Sequence, residues 1–229
     1  MKSAIIIFPG TNRDSDMVMA LEKISGTPPK KVWYNEGDLP AADLFVLAGG
    51  FAYGDYLRAG AMAARAPVIR ALADRAAKGA AVLGVCNGFQ ILTEIGLLPG
   101  ALMRNTKLKF ICRNLDVRVE ETDSIFTKKY QPGQKLSFPV AHNDGNYFAD
   151  KATIDQLEEQ NRIAFRYVNT SGQIEPDGNP NGSVRNIAGI LNKKKNVLGL
   201  MPHPENATDP ELGGSDGQGL FQSVVEHLS

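Results

Sequence analysis

The sequence predicts an α/β protein: a three-layer, mostly parallel sheet with helices on both faces and a small antiparallel extension. Two observations carry that class. Up to Pro99 the chain alternates short apolar runs with segments of helical period, the order of βα units. Those runs, such as Ala4-Ile5-Ile6-Ile7-Phe8 and Ala80-Ala81-Val82-Leu83, are continuous rather than alternating, as strands buried on both faces must be.

The elements follow in order. Residues 3–8 form a strand stopped by Pro9-Gly10, and residues 14–25 a helix in which Val18, Leu21 and Ile24 recur at near-helical spacing. Residues 31–34 and 44–48 are further strands. A helix over 64–78 is closed by Gly79, which suits a C-terminal cap, and leads to a strand over 81–85 and a helix over 87–95. Beyond Pro99 the pattern changes. Residues 108–120 and 134–141 read as antiparallel strands, 154–159 as a short helix and 163–168 as a strand, a middle section expected to decorate the sheet rather than extend it. Residues 171–182, rich in Gly, Pro, Asn and Asp, make a turn cluster. Strands over 184–191 and 197–201 and an amphipathic helix over 219–228 follow, with no internal repeat or low-complexity linker, so residues 1–229 are read as one domain.

Composition narrows the function class. The 229 residues are 43% hydrophobic and 22% charged, ordinary for a globular chain with a substantial core. Twenty-five basic and 25 acidic residues cancel, so no global field argues for nucleic acid or an anionic membrane. The first apolar run is too short for a signal-peptide core, and the longest uncharged stretch, residues 79–93, falls short of the ~20 residues a membrane span needs. A cytoplasmic protein is expected. Cys86 and Cys112 form no CxxC pair and the three histidines are scattered, which suggests neither a disulfide framework nor a zinc site. No Gly-x-x-x-x-Gly-Lys-Ser/Thr or dinucleotide fingerprint occurs, so no cofactor is expected on this chain by those routes.

The chemistry gathers at Gly84-Val85-Cys86-Asn87-Gly88, where a cysteine stands between two glycines at a strand-to-helix junction. This is a nucleophile elbow: a side chain lifted from so sharp a turn leaves no room for Cβ atoms two residues away. At a helix N-terminus the thiolate that attacks carbonyl carbon is favoured. Such a nucleophile needs a base and an orienting group. His203, in Met201-Pro202-His203-Pro204-Glu205, lies just past the C-terminal end of a strand, where open α/β sheets place their ligands. In extended backbone, residues two apart share a face, so Glu205 is placed to orient His203. His142, in a loop after a strand, reads as a structural or substrate contact, and His227 on the last helix as a solvated or capping residue. Gly49-Gly50-Phe51 follows another strand and exposes backbone N–H groups; Phe51 and Asn87 are the expected oxyanion donors. Gln90, one helical turn after Cys86, and Gly50 face the same place, and Arg58 is a partner for a carboxylate or a neighbouring subunit. On these residues alone a cysteine hydrolase or protein-repair enzyme of related fold stays open beside an amide-splitting thiol.

Taken together, Gly84-Val85-Cys86-Asn87-Gly88-Phe89-Gln90, His203-Pro204-Glu205 and Gly49-Gly50 resemble the class I (triad) glutamine amidotransferases, in the right order and over nearly the whole chain. The resemblance implies a flavodoxin-like sheet, with Cys86 as nucleophile, His203 as base and Glu205 as its orienter. Phe8-Pro9-Gly10-Thr11-Asn12, the segment from Gly49 to Gly60 and Ser215-Asp216-Gly217-Gln218-Gly219 look like the stand-alone glutaminase subunits that serve purine biosynthesis. That implies glutamine as substrate, together with a large synthetase partner that binds ATP, Mg and formylglycinamide ribonucleotide, and a small bridging subunit. A glutaminase serving another amination acceptor shares every catalytic residue. Family members commonly read His-Gly-Glu-Gly where this chain has His142-Asn143-Asp144-Gly145.

Overall fold

Continuous apolar strands bury both faces only if helices cover them. The computed structural model, which describes residues 1–229, meets that demand with eleven strands and five α-helices. Strand β1 (Ser3–Ile7) leads to α1 (Asp14–Ser25), whose first turn carries Asp14 and Asp16 and whose C-terminal cap is Gly26 in the left-handed region (φ 69°). Then come β2 (Lys30–Trp33), β3 (Leu44–Leu47) and α2 (Pro67–Ala77). The last begins three residues later than sequence periodicity suggests, because Pro67 fixes its first turn and residues 63–65 form a 3₁₀ turn ahead of it. Strand β4 (Ala81–Val85) runs into α3 (Asn87–Glu94). Phe89, Ile91 and Leu92 of α3 are 0–1% exposed, and each such burial is worth roughly 1.5–3 kcal/mol. They hold α3 against β3, β4 and β11.

The second half contains β5 (Ala101–Met103), β6 (Ile111–Val119), β7 (Lys135–His142), β8 (Asn146–Phe148), α4 (Lys151–Glu159), β9 (Ile163–Tyr167), β10 (Ile187–Leu191), β11 (Val197–Leu200) and α5 (Gln218–Leu228). Helix α4 starts three residues before the expected 154 because the Asp150 carboxylate caps it, accepting from Thr153 N–H at 2.8 Å.

Nine strands share one sheet in the order β2-β1-β3-β4-β11-β10-β9-β6-β7, and β5 pairs with β8 in a separate ribbon. From β2 to β11 neighbours are parallel; from β11 to β7 they are antiparallel. The α/β class therefore holds, while the middle section does more than decorate: β6 and β7 continue the main sheet. Strand β6 joins it by pairing with the distant β9, Val117 opposite Tyr167, and local periodicity carries no record of such a pairing. The short strands β5 and β8 also escape a periodicity reading, three residues being too few to show a period.

Register sets up the site. Leu47 lies opposite Gly84, Gly84 opposite Gly199 and Val85 opposite Leu200, so the loops leaving β3, β4 and β11 emerge side by side at the carboxyl edge. The strand order reverses at β1/β3, and there the two outgoing loops meet in a bridge between Thr11 and Gly50.

Candidate active site

Cys86 sits between β4 and α3 with φ 52° and ψ −107°, a conformation an L-residue adopts only under constraint. The constraint is packing. A Cβ on Gly88 would lie 2.0 Å from the Leu47 carbonyl oxygen, and one on Gly84 would lie 2.7 Å from the Gly88 oxygen and 2.5 Å from Leu92 Cδ1. Both glycines are there so that α3 can close on β3 and β4. The Cys86 N–H donates to Leu200 O at 2.8 Å, which ties the elbow to β11, and its thiol lies 3.9 Å from Ala141 O of β7.

His203 follows β11. Its N–H donates to Pro139 O of β7 at 2.8 Å, and its Nδ1 is 2.7 Å from Glu205 Oε1. The two do not share an extended segment, as the sequence spacing suggests. Residues 204–206 form a 3₁₀ turn, with Ala207 N–H donating to Pro204 O at 3.0 Å, and that turn brings the carboxylate back under the imidazole. Both side chains are buried, and His203 Nε2 makes no hydrogen bond of its own. Burial by itself would push the imidazole down, but the charges of Glu205 and Cys86 beside it raise it to about 10, so it holds its proton at neutral pH. Gly49 supplies the seat: a Cβ there would lie 2.7 Å from His203 Cε1.

A cavity of about 340 Å³ opens on Cys86 and is lined by Gly50, Phe51, Asp55, Gln90, Arg104 and His142, among others. The oxyanion reading needs correction at one donor. Phe51 N–H donates to Gly10 O at 2.9 Å, part of the loop-to-loop bridge, and is not free to face the thiol. The Gly50 N–H, one residue earlier, makes no bond within the chain. Gly50 has φ 155°, and a Cβ there would lie 2.6 Å from Gly10 O, so only glycine presents an amide at this spot. Asn87 N–H opens α3, where no intrahelical acceptor exists. Its side chain ties the pieces together: Oδ1 accepts from Ala52 N–H at 3.1 Å, Nδ2 donates to Gln90 Oε1 at 2.8 Å, and Gln90 Nε2 donates to Asp144 O at 2.8 Å.

His142 lines the cavity with both ring nitrogens buried and without partners. Burial, and then the charge of His203, lower it to about 4, so it is neutral where His203 is charged. Arg58 belongs elsewhere. Its guanidinium forks onto Glu94 at the end of α3, with Nη2 2.6 Å from Oε2, and it does not line the cavity. The cation that does is Arg104, 3.9 Å from Asp144, and Asp55 completes the charged rim. Sequence reading gives neither Arg104 nor Asp55 a role: Arg104 belongs to no motif, and Asp55 lies in the Gly49–Gly60 segment without being singled out. In the structure Asp55 ends a run with Tyr53 and Gly54 of three consecutive residues at positive φ.

The model of the CobB/CobQ-like glutamine amidotransferase domain matches residues 1–213. The chain belongs to this glutamine amidotransferase family. This amidotransferase is 56% identical, over 98% of both chains, to phosphoribosylformylglycinamidine synthase subunit PurQ of Mesorhizobium japonicum. It is 57% identical to the protein of that name in Rhodospirillum rubrum, over the whole of both. Among solved structures, a chain in the structure of PurLQS from Thermotoga maritima superposes with a TM-score of 0.87 at 41% identity, covering 100% of this chain and 99% of that one. The glutaminase domain of Trypanosoma brucei CTPS, at 15% identity and TM-score 0.62 over 100% of this chain and 95% of that one, shares the amidotransferase fold.

Proposed function

We propose that this amidotransferase is the glutaminase subunit of a phosphoribosylformylglycinamidine synthase. It splits glutamine to glutamate and ammonia, and passes the ammonia to a large synthetase subunit that, with a small PurS-type subunit, converts formylglycinamide ribonucleotide to formylglycinamidine ribonucleotide. The observation that carries the reaction is Cys86 held in a strained elbow beside a buried His203–Glu205 pair.

In this reading the Cys86 thiolate attacks the side-chain amide carbon of glutamine, and the developing oxyanion is held by the N–H groups of Gly50 and Asn87. His203, kept protonated by Glu205, gives its proton to the departing nitrogen, and ammonia leaves. The same imidazole then takes a proton from water as that water attacks the glutamyl thioester, releasing glutamate and restoring the thiolate. Ammonia lost to solvent would be protonated and no longer nucleophilic, which favours direct transfer to the partner. ATP and Mg belong to that partner. Phe51 and Phe110 both line the cavity and are exposed, which suits a surface covered by another subunit.

The test is labelling with 6-diazo-5-oxo-norleucine, a glutamine-mimicking alkylator, followed by mass spectrometry. An adduct on Cys86 is expected, and its absence under turnover conditions overturns the reading. Cys86→Ala in the reconstituted complex is expected to abolish glutamine-dependent synthesis and to leave ammonia-dependent synthesis intact.

A further inference from the structure

The side-chain amide of glutamine goes to Cys86, which leaves its α-carbon two methylenes further out, toward the cavity rim. A free amino acid carries both charges there. The rim carries both as well: Asp55 and Asp144 on opposite loops, and Arg104 3.9 Å from Asp144. We propose that Asp55 is the specificity-determining residue that takes the α-ammonium group of glutamine, with Arg104 taking the α-carboxylate. The assignment rests on the glutaminase reading of the site.

Three observations single out Asp55. Its Oδ1 is buried without a hydrogen-bond partner, although a carboxylate oxygen out of water costs free energy unless it is paired. Asp144, by contrast, has Arg104 at its carboxylate, and Gln90 bonds its backbone oxygen. Asp55 is also held at φ 51°, at the end of a run with Tyr53 (φ 55°) and Gly54 (φ 72°), so the loop accepts strain to aim this side chain inward. Finally, two carboxylates line one cavity, and only Asp144 has a cation at ion-pair distance. Burial, and then the Asp144 charge, push Asp55 up to about 6, and an ammonium seated there removes that repulsion. The other titratable and charged groups on this cavity are Arg104, His142, which is neutral, and Cys86.

The experiment compares glutamine with 4-carbamoylbutanoate, which is glutamine without its amino group, in the full complex of this chain with its synthetase and small subunits. The readout is amide hydrolysis at Cys86. Asp55→Asn is the variant, since asparagine tolerates the left-handed region and keeps the shape. Wild type is expected to prefer glutamine strongly, and Asp55→Asn to shrink that preference by about 10- to 100-fold, the range for a charge-assisted hydrogen bond. Hydrolysis of the deaminated analogue should stay within about twofold, which a merely structural defect would not allow. Arg104→Gln should do the same toward 4-aminobutanamide, which lacks the carboxylate. An unchanged preference in Asp55→Asn, with glutamine still hydrolysed by wild type, overturns the Asp55 assignment alone. Failure of wild type to hydrolyse glutamine overturns the glutaminase reading and this one with it.

Discussion

Replacing Gly49 with alanine separates the seat of His203 from the stability of the fold. Gly49 is not among the glycines at positive φ, so the obstacle to a side chain is space. An added Cβ meets His203 Cε1 at 2.7 Å and Arg13 Cγ at 3.3 Å. Carbon atoms in contact sit about 3.5–4 Å apart, so the imidazole must retreat by about 0.8 Å or more. It has little freedom to do so smoothly, being buried and held 2.7 Å from Glu205 Oε1. The backbone is pinned too: Asn12 and Arg13 N–H groups both donate to Gly49 O, at 3.3 and 3.1 Å. A displacement near 1 Å at a reacting group costs on the order of 10²-fold in rate. The strain of overfilling costs about 1–3 kcal/mol, or roughly 2–4 °C of Tm per kcal/mol in a chain of this size. Gly49→Ala is therefore expected to keep a cooperative melt within about 10 °C of wild type while glutaminase kcat at saturating glutamine falls by about 10²-fold. Gly88→Ala is the contrast: its Cβ would sit 2.0 Å from the Leu47 carbonyl oxygen, backbone against backbone, so folding and activity fail together. A Gly49→Ala enzyme with kcat within twofold of wild type would refute the idea that His203 is positioned by this contact.

Other expectations follow from the buried titratable groups. Glu205→Gln removes the carboxylate that raises His203 and leaves the burial that lowers it. The loss in kcat should reach about 10²- to 10⁴-fold, the size of a general acid–base contribution, and the alkaline limb of the residual pH–rate profile should move toward acid; an unmoved limb refutes the pairing. His142 sits near 4 when folded, against 6.5 for an ordinary histidine. The unfolded chain then binds the extra proton between those values, so stability is present above about 6.5 and falls by about 3 kcal/mol as pH drops to 4. His142→Asn should flatten that slope in denaturant titrations at pH 4 to 7, and an unchanged slope counts against its burial as a neutral ring.

Much of the catalytic grouping was legible in sequence because it depends on short-range sterics. Glycines two residues to either side of Cys86, at the end of an apolar run, mark a side chain raised out of a tight turn, and the close packing of Gly84 and Gly88 is the reason. Glu205, two residues from His203, is close whatever the local backbone does, and so the pair survives although the segment turns into a 3₁₀ helix rather than an extended strand. Arg58 shows the opposite case. A lone arginine in a glycine-rich loop gives no sign of its partner, and Glu94, 36 residues on, captured it.

By itself the sequence determined the βα order of the first half, the elbow at Cys86 and the pairing of His203 with Glu205, since each is written in residues a few positions apart. The tertiary structure alone decided which amide is free, because Phe51 N–H goes to Gly10 on the distant loop after β1 and leaves Gly50 exposed to the cavity. It also decided that β6 and β7 extend the main sheet, and that Asp55, Arg104 and Asp144 meet around Cys86. Those outcomes depend on strand pairing and loop closure between distant segments. Hydrophobic period and turn chemistry describe each segment, and they are silent on which segments meet.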